Sequence, residues 1–154
     1  MDIREGGLDH PDVIALLREH LQGLAQLSPP ESVHALGLDA LRDPDVEFWS
    51  AWRDDALLGF GALKRLDDAH AEIKSMRTVR AHRREGVATA LLRHILEESA
   101  RRGLRRLSLE TGSAPAFAPA HLLYQRFGFV ACGPFSDYSD DPHSVFMTME
   151  FPPN

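Results

Sequence analysis

The chain alternates between two kinds of hydrophobic spacing, and the points where one gives way to the other divide it into elements. Between Asp9 and Gln26, the residues Val13, Leu16, Leu17, Leu21 and Leu24 recur at the interval of a helix with one apolar face. Asp9 is placed to cap that helix and Pro11 fits its first turn. Pro29-Pro30 stops the pattern, and Glu31 to Leu41 reads as one or two short helices. Strand spacing follows in Val46 to Arg53, Leu57 to Leu66 and Ala71 to Val79. Turns at Asp54-Asp55 and Leu66-Asp67-Asp68 separate these runs, so a meander of antiparallel neighbours is expected. Helical spacing returns from Glu85 to Arg102. There Val87, Ala88, Leu91, Leu92, Ile95 and Ser99 share a face, and Gly103 stands where a C-terminal cap belongs. Alternation resumes at Arg105 to Thr111; a helix over about Ala118 to Phe127 ends at Gly128; the last strands are Phe129 to Cys132 and Ser144 to Phe151. Residues 1–6 form a weakly patterned first strand. The expected fold is mixed α/β, with a central, mostly antiparallel sheet flanked by helices in a single domain, 1–154.

Composition narrows the possible functions. A chain of 154 residues can bury a real core without disulfides or metals to staple it. Its net charge of −6 argues against broad nucleic-acid binding, and Arg101-Arg102 with Arg105-Arg106 read as a solvated edge. Cys132 is the only cysteine, so neither an intrachain disulfide nor a Cys-rich metal site can form. The 8 histidines include no i, i+4 pair and no His-Glu-x-x-His, and no metal is expected. With no basic leader and no membrane-length apolar run, the default expectation is a cytoplasmic protein without membrane partners.

The sharpest chemical signal is Arg83-Arg84-Glu85-Gly86-Val87-Ala88, between a strand ending near Val79 and a long amphipathic helix. A glycine turn opening a helix leaves backbone N–H groups unpaired and pointing one way, with the positive end of the helix dipole behind them. Such a turn suits a phosphate or pyrophosphate. Gly86 and Ala88 allow close approach, and the arginines add charge. The same residues also suit an ordinary helix start.

Strand, Arg-x-x-Gly-x-Ala, helix, strand and then Leu123-Tyr124-x-x-Phe-Gly-Phe129 form an order that resembles the GNAT superfamily of acyl-CoA-dependent N-acetyltransferases. The resemblance covers residues 45–151 closely and the N-terminal third loosely. Glu72-Ile-Lys-Ser-Met-Arg-Thr78, Leu109-Glu-Thr-Gly-Ser113 and Ser144-Val-Phe-Met147 further resemble a bacterial subgroup of acetyltransferases. The resemblance implies acetyl-CoA as acyl donor and an amine, on a small molecule or peptide, as acceptor. It places the pyrophosphate on the backbone of Arg84, Glu85, Gly86, Val87 and Ala88, with Arg83 and the Thr89 hydroxyl beside it. Met76, Arg77, Thr78 and Val79 would hold the pantetheine arm by strand addition, and the Arg77 N–H would stabilise the oxyanion. A bulge would splay this strand from the Arg105 to Thr111 strand. Tyr124 takes the role of general acid toward the leaving thiolate; the other reading is a core tyrosine.

The base is less determined. Glu72 is the first candidate, since Glu72, Lys74, Met76 and Thr78 would share one face of an extended strand. An exposed glutamate paired with Lys74 is the other reading. Glu110 is the second candidate, and either carboxylate could instead bind a cationic amine. His34 would line the acceptor pocket, to which Trp49, Trp52, Phe135 and Tyr138 could contribute if core packing does not claim them. Phe117 stands where many members carry an Asn that holds the pantetheine arm, so Ser113 or a backbone group would have to substitute. A homodimer through sheet edges or the last strands fits the pattern. The rival readings are a catalytically silent acyl-CoA-binding module that regulates a partner, and a site for another phosphate ligand such as a nucleotide. The second lacks a P-loop run.

Overall fold

The computed structural model describes residues 1–151. In chain order the elements are β1 (Asp2–Glu5), α1 (Pro11–Leu27), α2 (Leu38–Leu41), β2 (Val46–Arg53), β3 (Ala56–Arg65), β4 (His70–Thr78), α3 (Val87–Arg101), β5 (Arg106–Gly112), α4 (Ala118–Arg126), β6 (Val130–Cys132) and β7 (Ser144–Glu150). Single 3-10 turns lie at Pro30–Ser32, Arg80–His82 and Pro115–Phe117. The strands form one 7-stranded sheet in the order β1-β2-β3-β4-β5-β7-β6. Every pairing is antiparallel except β4 with β5, which the crossover through α3 makes parallel.

Each face of the sheet is covered by the helices whose apolar stripes the sequence marks out. Val87, Leu91, Leu92 and Ile95 of α3 and Tyr124 of α4 pack on Trp49, Ala51, Leu63, Ile73, Leu107 and Leu109. On the opposite face Val13, Leu16 and Leu17 of α1 pack on Phe48, Trp52 and Phe60. Trp49 and Trp52 therefore belong to opposite cores, and neither contributes to an acceptor pocket. At the start of α1 the cap is His10, whose Nδ1 accepts from the Asp12 N–H at 3.1 Å; Asp9 instead pairs with Arg42 at 2.7 Å. Helix α3 begins at Val87, two residues later than its pattern suggests, because Gly86 adopts φ +82° and falls outside the helix.

Two irregularities position the site. The first is a bulge in β4: Ala62 pairs with Ser75 and Leu63 with Ile73, so Lys74 has no partner on β3. Pairing with β5 stops at Ile73–Leu109, and the rest of β4 diverges from β5 as the family resemblance implies. The second is the bare surface that Gly59 and Gly61 give β3 where α3 crosses it. A Cβ at Gly59 would lie 2.5 Å from the Arg77 carbonyl oxygen and 3.1 Å from Val87 Cγ1. This closeness sets the N-terminus of α3 against the free end of β4. Gly59→Ala is therefore expected to lower stability by about 1–3 kcal/mol, since backbone cannot yield as a side chain can. Gly37→Ala, with open space around it, is the control, and urea unfolding of both variants checks the difference.

Candidate active site

The diverging strands open a cavity of about 650 Å³ that runs from the turn before α3 to the loops over the α1 face. At one end lies the phosphate-type turn. Arg84 and Gly86 both adopt positive φ, +67° and +82°. These two left-handed steps turn the chain so sharply that α3 starts facing the cavity. The first helical bond of α3 runs from Ala90 N–H to the Gly86 carbonyl, so the N–H groups of Val87, Ala88 and Thr89 precede it and lack helical acceptors. No acidic residue lies in this first turn. Arg83, Arg84, Gly86, Val87, Ala88 and Thr89 all line the cavity. Glu85 does not: its carboxylate turns outward to Arg53 (3.1 Å) and His82 (2.7 Å).

The cavity's floor is the free half of β4. Val79 donates its N–H to the Leu58 carbonyl and accepts from the His82 N–H, so its backbone is occupied and it cannot hold a pantetheine arm. The alternation of antiparallel bonding carries this phase back along the strand. Arg77 (opposite Phe60) also bonds toward β3, whereas Met76 and Thr78 direct N–H and C=O into the cleft. The backbone groups left free toward the cleft are thus those of Met76 and Thr78, while those of Arg77 turn to β3. The bulge also divides the face expected to carry Glu72, Lys74, Met76 and Thr78 together. Met76 packs with Ile73 in the core under α3, while Glu72 and Lys74 look to the α1 side.

Tyr124 and Phe117 form the wall on the α4 side. Gly128, at φ +101°, reverses the chain after α4 so that the Phe129 ring meets Tyr124 edge-on at 5.6 Å. That contact accounts for the Tyr-x-x-Phe-Gly-Phe spacing. Tyr124 lines the cavity, and burial pushes its phenol well above its ordinary range, holding the proton a donor needs. The Phe117 ring covers Gly112, where a Cβ would clash at 2.2 Å. Ser113 is not a substitute for the absent Asn, since its hydroxyl donates to the Pro142 carbonyl at 2.8 Å and serves to tie two loops together.

The wall on the α1 side is polar. Glu72, only 3% exposed, accepts from the Tyr138 hydroxyl at 2.6 Å and from Lys74 Nζ at 3.3 Å; Lys74 also donates to the Tyr138 oxygen at 2.7 Å. The His34 ring stands edge-on to Tyr138 at 4.9 Å, and Ser32 donates to Asp141, so both loops over the cleft are fastened to one another. Glu110 lines the same wall, and burial raises its carboxyl above the ordinary value, with partial relief from Ser144 and the His34 and Lys74 charges. Tyr138 is the residue that sequence reasoning undervalued. Its loop is Asp-rich and looks solvated, yet Phe135 and Tyr138 pack on Phe146 beneath it. Among the described residues no group of histidines, cysteines or carboxylates is arranged to hold a metal.

A left-handed turn opening α3, a splayed strand pair and a buried tyrosine thus share one cleft. The chain matches the Acetyltransferase (GNAT) family over residues 13–129 and belongs to it. It is 56% identical to the N-acetyltransferase YsnE of Bacillus subtilis, covering 96% of this chain and 98% of that one. It is 52% identical to the N-acetyltransferase YedL of Escherichia coli, covering 96% and 92%. A Bacillus subtilis acetyltransferase whose crystal structure contains CoA shares the fold, with a TM-score of 0.73 at 17% identity over 97% of each chain. The protein is an N-acetyltransferase, and its central sheet with flanking helices is the fold of that family.

His20 of α1 borders this cavity with its ring edge-on to Phe60. Burial, aided by the Arg77 charge, lowers its pKa from 6.5 to about 4. Between those values the unfolded chain binds a proton that the folded chain refuses, so stability falls as pH falls through this window. The loss is expected to reach about 3 kcal/mol once both states are protonated. Denaturant unfolding at pH 7 and pH 4 should show a smaller drop in His20→Gln than in the parent.

Proposed function

We propose that the protein transfers the acetyl group of acetyl-CoA to a primary amine by direct attack in a ternary complex. The observation that carries this reading is the single cleft joining the Gly86 turn, the cleft-facing backbone of Met76 and Thr78, and the Tyr124 hydroxyl. The N–H groups of Val87, Ala88 and Thr89, with Arg83 and Arg84, suit the pyrophosphate. The exposed edge of β4 suits the amides of the pantetheine arm.

In the reaction the amine nitrogen forms a bond to the thioester carbonyl carbon, and the C–S bond then breaks. An N–H of the β4 edge, Met76 or Thr78, stabilises the oxyanion between these events. Tyr124 gives its proton to the departing sulfur. The ammonium proton must leave before attack, and Glu110 is the better placed to take it, directly or through water. Glu72 is nearly sealed from solvent, and its Oε2 already accepts from both Tyr138 and Lys74. Glu110 faces the cavity, and burial strengthens it as a base. Glu72, the first candidate from sequence, becomes a residue that positions Lys74 and Tyr138. The silent-module reading would need the same cofactor cleft, but gives no reason for a protonated tyrosine and a free carboxylate on its two walls.

Calorimetry with acetyl-CoA should give binding that Gly86→Glu abolishes, because the new carboxylate would stand in the anion site. Tyr124→Phe should retain that binding and lose about 100-fold or more in kcat. Glu110→Gln should lose a comparable factor and flatten the acidic limb of the rate–pH profile, whereas Glu72→Gln should keep that limb. Cofactor binding with no turnover on any amine in the parent protein would favour the silent module.

A further inference from the structure

The polar wall of the cavity contains buried hydrogen-bond donors for which the described residues provide no acceptor. Ser75, 1% exposed, follows the bulge on the α1 side of β4, and its hydroxyl has no partner among the described residues. Two residues on, the Nε–H of Arg77 is likewise buried and unpartnered, while the same guanidinium spends Nη2 on Glu19 at 2.9 Å. Both residues line the cavity, as does Lys74, whose ammonium has a third N–H beyond the bonds to Glu72 and Tyr138. A buried donor left unmade is expensive, on the order of 1–3 kcal/mol each, and a ligand oxygen is the natural remedy. Glu110, on the neighbouring strand, is the one cavity-lining carboxylate not committed to an ion pair with a described residue.

We infer that the acceptor is an amine that also carries a carboxylate, an amino acid or a close relative of one. Its ammonium lies beside Glu110 and its carboxylate accepts from Ser75 Oγ, Arg77 Nε and Lys74. This deepens the acetyl-transfer reading and rests on it. Charge balance points the same way. The cations Lys74 and Arg77 and the carboxylate Glu110 all line the cavity, so it offers both signs of charge, which matches a zwitterion. A polyamine or a polycationic aminoglycoside would place a second cation against Lys74 and Arg77, and a simple amine would leave the buried donors unpaired.

The test uses matched pairs: lysine with cadaverine, tryptophan with tryptamine, and methionine with its decarboxylated amine, alongside spermidine. Each is titrated into the enzyme–CoA complex by calorimetry and assayed for CoA release from acetyl-CoA. At least one amino acid should exceed its decarboxylated partner by 10-fold or more in both affinity and kcat/KM. Ser75→Ala should fold with unchanged or slightly raised Tm, since it removes an unpaired hydroxyl, and should keep its acetyl-CoA affinity. It should nevertheless reduce the acid-over-amine preference several-fold through KM. Arg77→Lys, which keeps the charge but loses Nε–H, should reduce it as well. Amines acetylated as well as their acids, no preference across the panel by binding, or a preference untouched in both variants would each overturn the inference. Acid-selective binding without any CoA release would instead leave the ligand class standing and overturn acetyl transfer.

Discussion

Lys74 has no partner on β3, and the position of every group in the cleft follows from that unpaired residue. Side chains alternate across a strand with period two, so one inserted residue exchanges the faces of everything beyond it. Before the bulge, Ile73 faces α3 and Glu72 faces α1; after it, Met76 faces α3 while Ser75 and Arg77 turn toward α1. The added twist also ends the pairing with β5 at Ile73, which leaves the N–H and C=O groups of Met76 and Thr78 without a strand to bond. A sheet with regular β4 pairing would have no cleft, no free backbone edge and no separate polar wall. The bulge creates all of them at once.

The buried Glu72–Lys74 pair is tolerable only because Tyr138 completes it. Desolvating two opposite charges usually consumes most of what their attraction returns, unless further hydrogen bonds satisfy the remaining sites. Tyr138 does this as both donor and acceptor, and the same hydroxyl fastens the loop from Phe135 to His143 onto the sheet. Burial and the neighbouring Glu72 carboxylate push the Tyr138 phenol far above its ordinary range, so it stays protonated and the fastening holds across accessible pH. The Ser32–Asp141 bond then joins this loop to the turn after α1. The α1 end of the cavity is therefore framed by loops whose anchor is an ion pair on the bulged strand.

Local chemistry was legible in the sequence, and long-range geometry was not. Helix α3, its buried face and the glycine turn that opens it follow from short-range pattern. The Tyr124 position is legible because Gly128 and Phe129 sit at fixed offsets that bring one ring onto another. The bulge left no mark in the sequence, because Lys74 is a residue type any strand could carry. Strict alternation therefore placed Glu72 beside Met76 on one face. Tyr138 was hidden for a different reason: its partner Glu72 lies 66 residues away. Only the fold, by laying the last loop over β4, brings them together.

In the proposed pyrophosphate site, the placement of Glu85 explains how an acidic chain would accommodate a polyanionic ligand. The whole chain carries −6, which at long range repels a pyrophosphate. At the turn that repulsion is reversed by directing one charge away. Hydrogen bonds from His82 and Arg53 hold the Glu85 carboxylate on the outer surface and keep its pKa low, so it stays ionised and locally compensated. The inner surface is left with Arg83, Arg84 and the first N–H groups of α3. Since screening removes most exposed interactions beyond about 10 Å at 0.1 M salt, these near groups decide the sign of the field a bound phosphate meets. The strained φ of Arg84 has the same logic: a left-handed arginine beside a left-handed glycine keeps Glu85 on the outer side of the turn while the backbone N–H groups face inward.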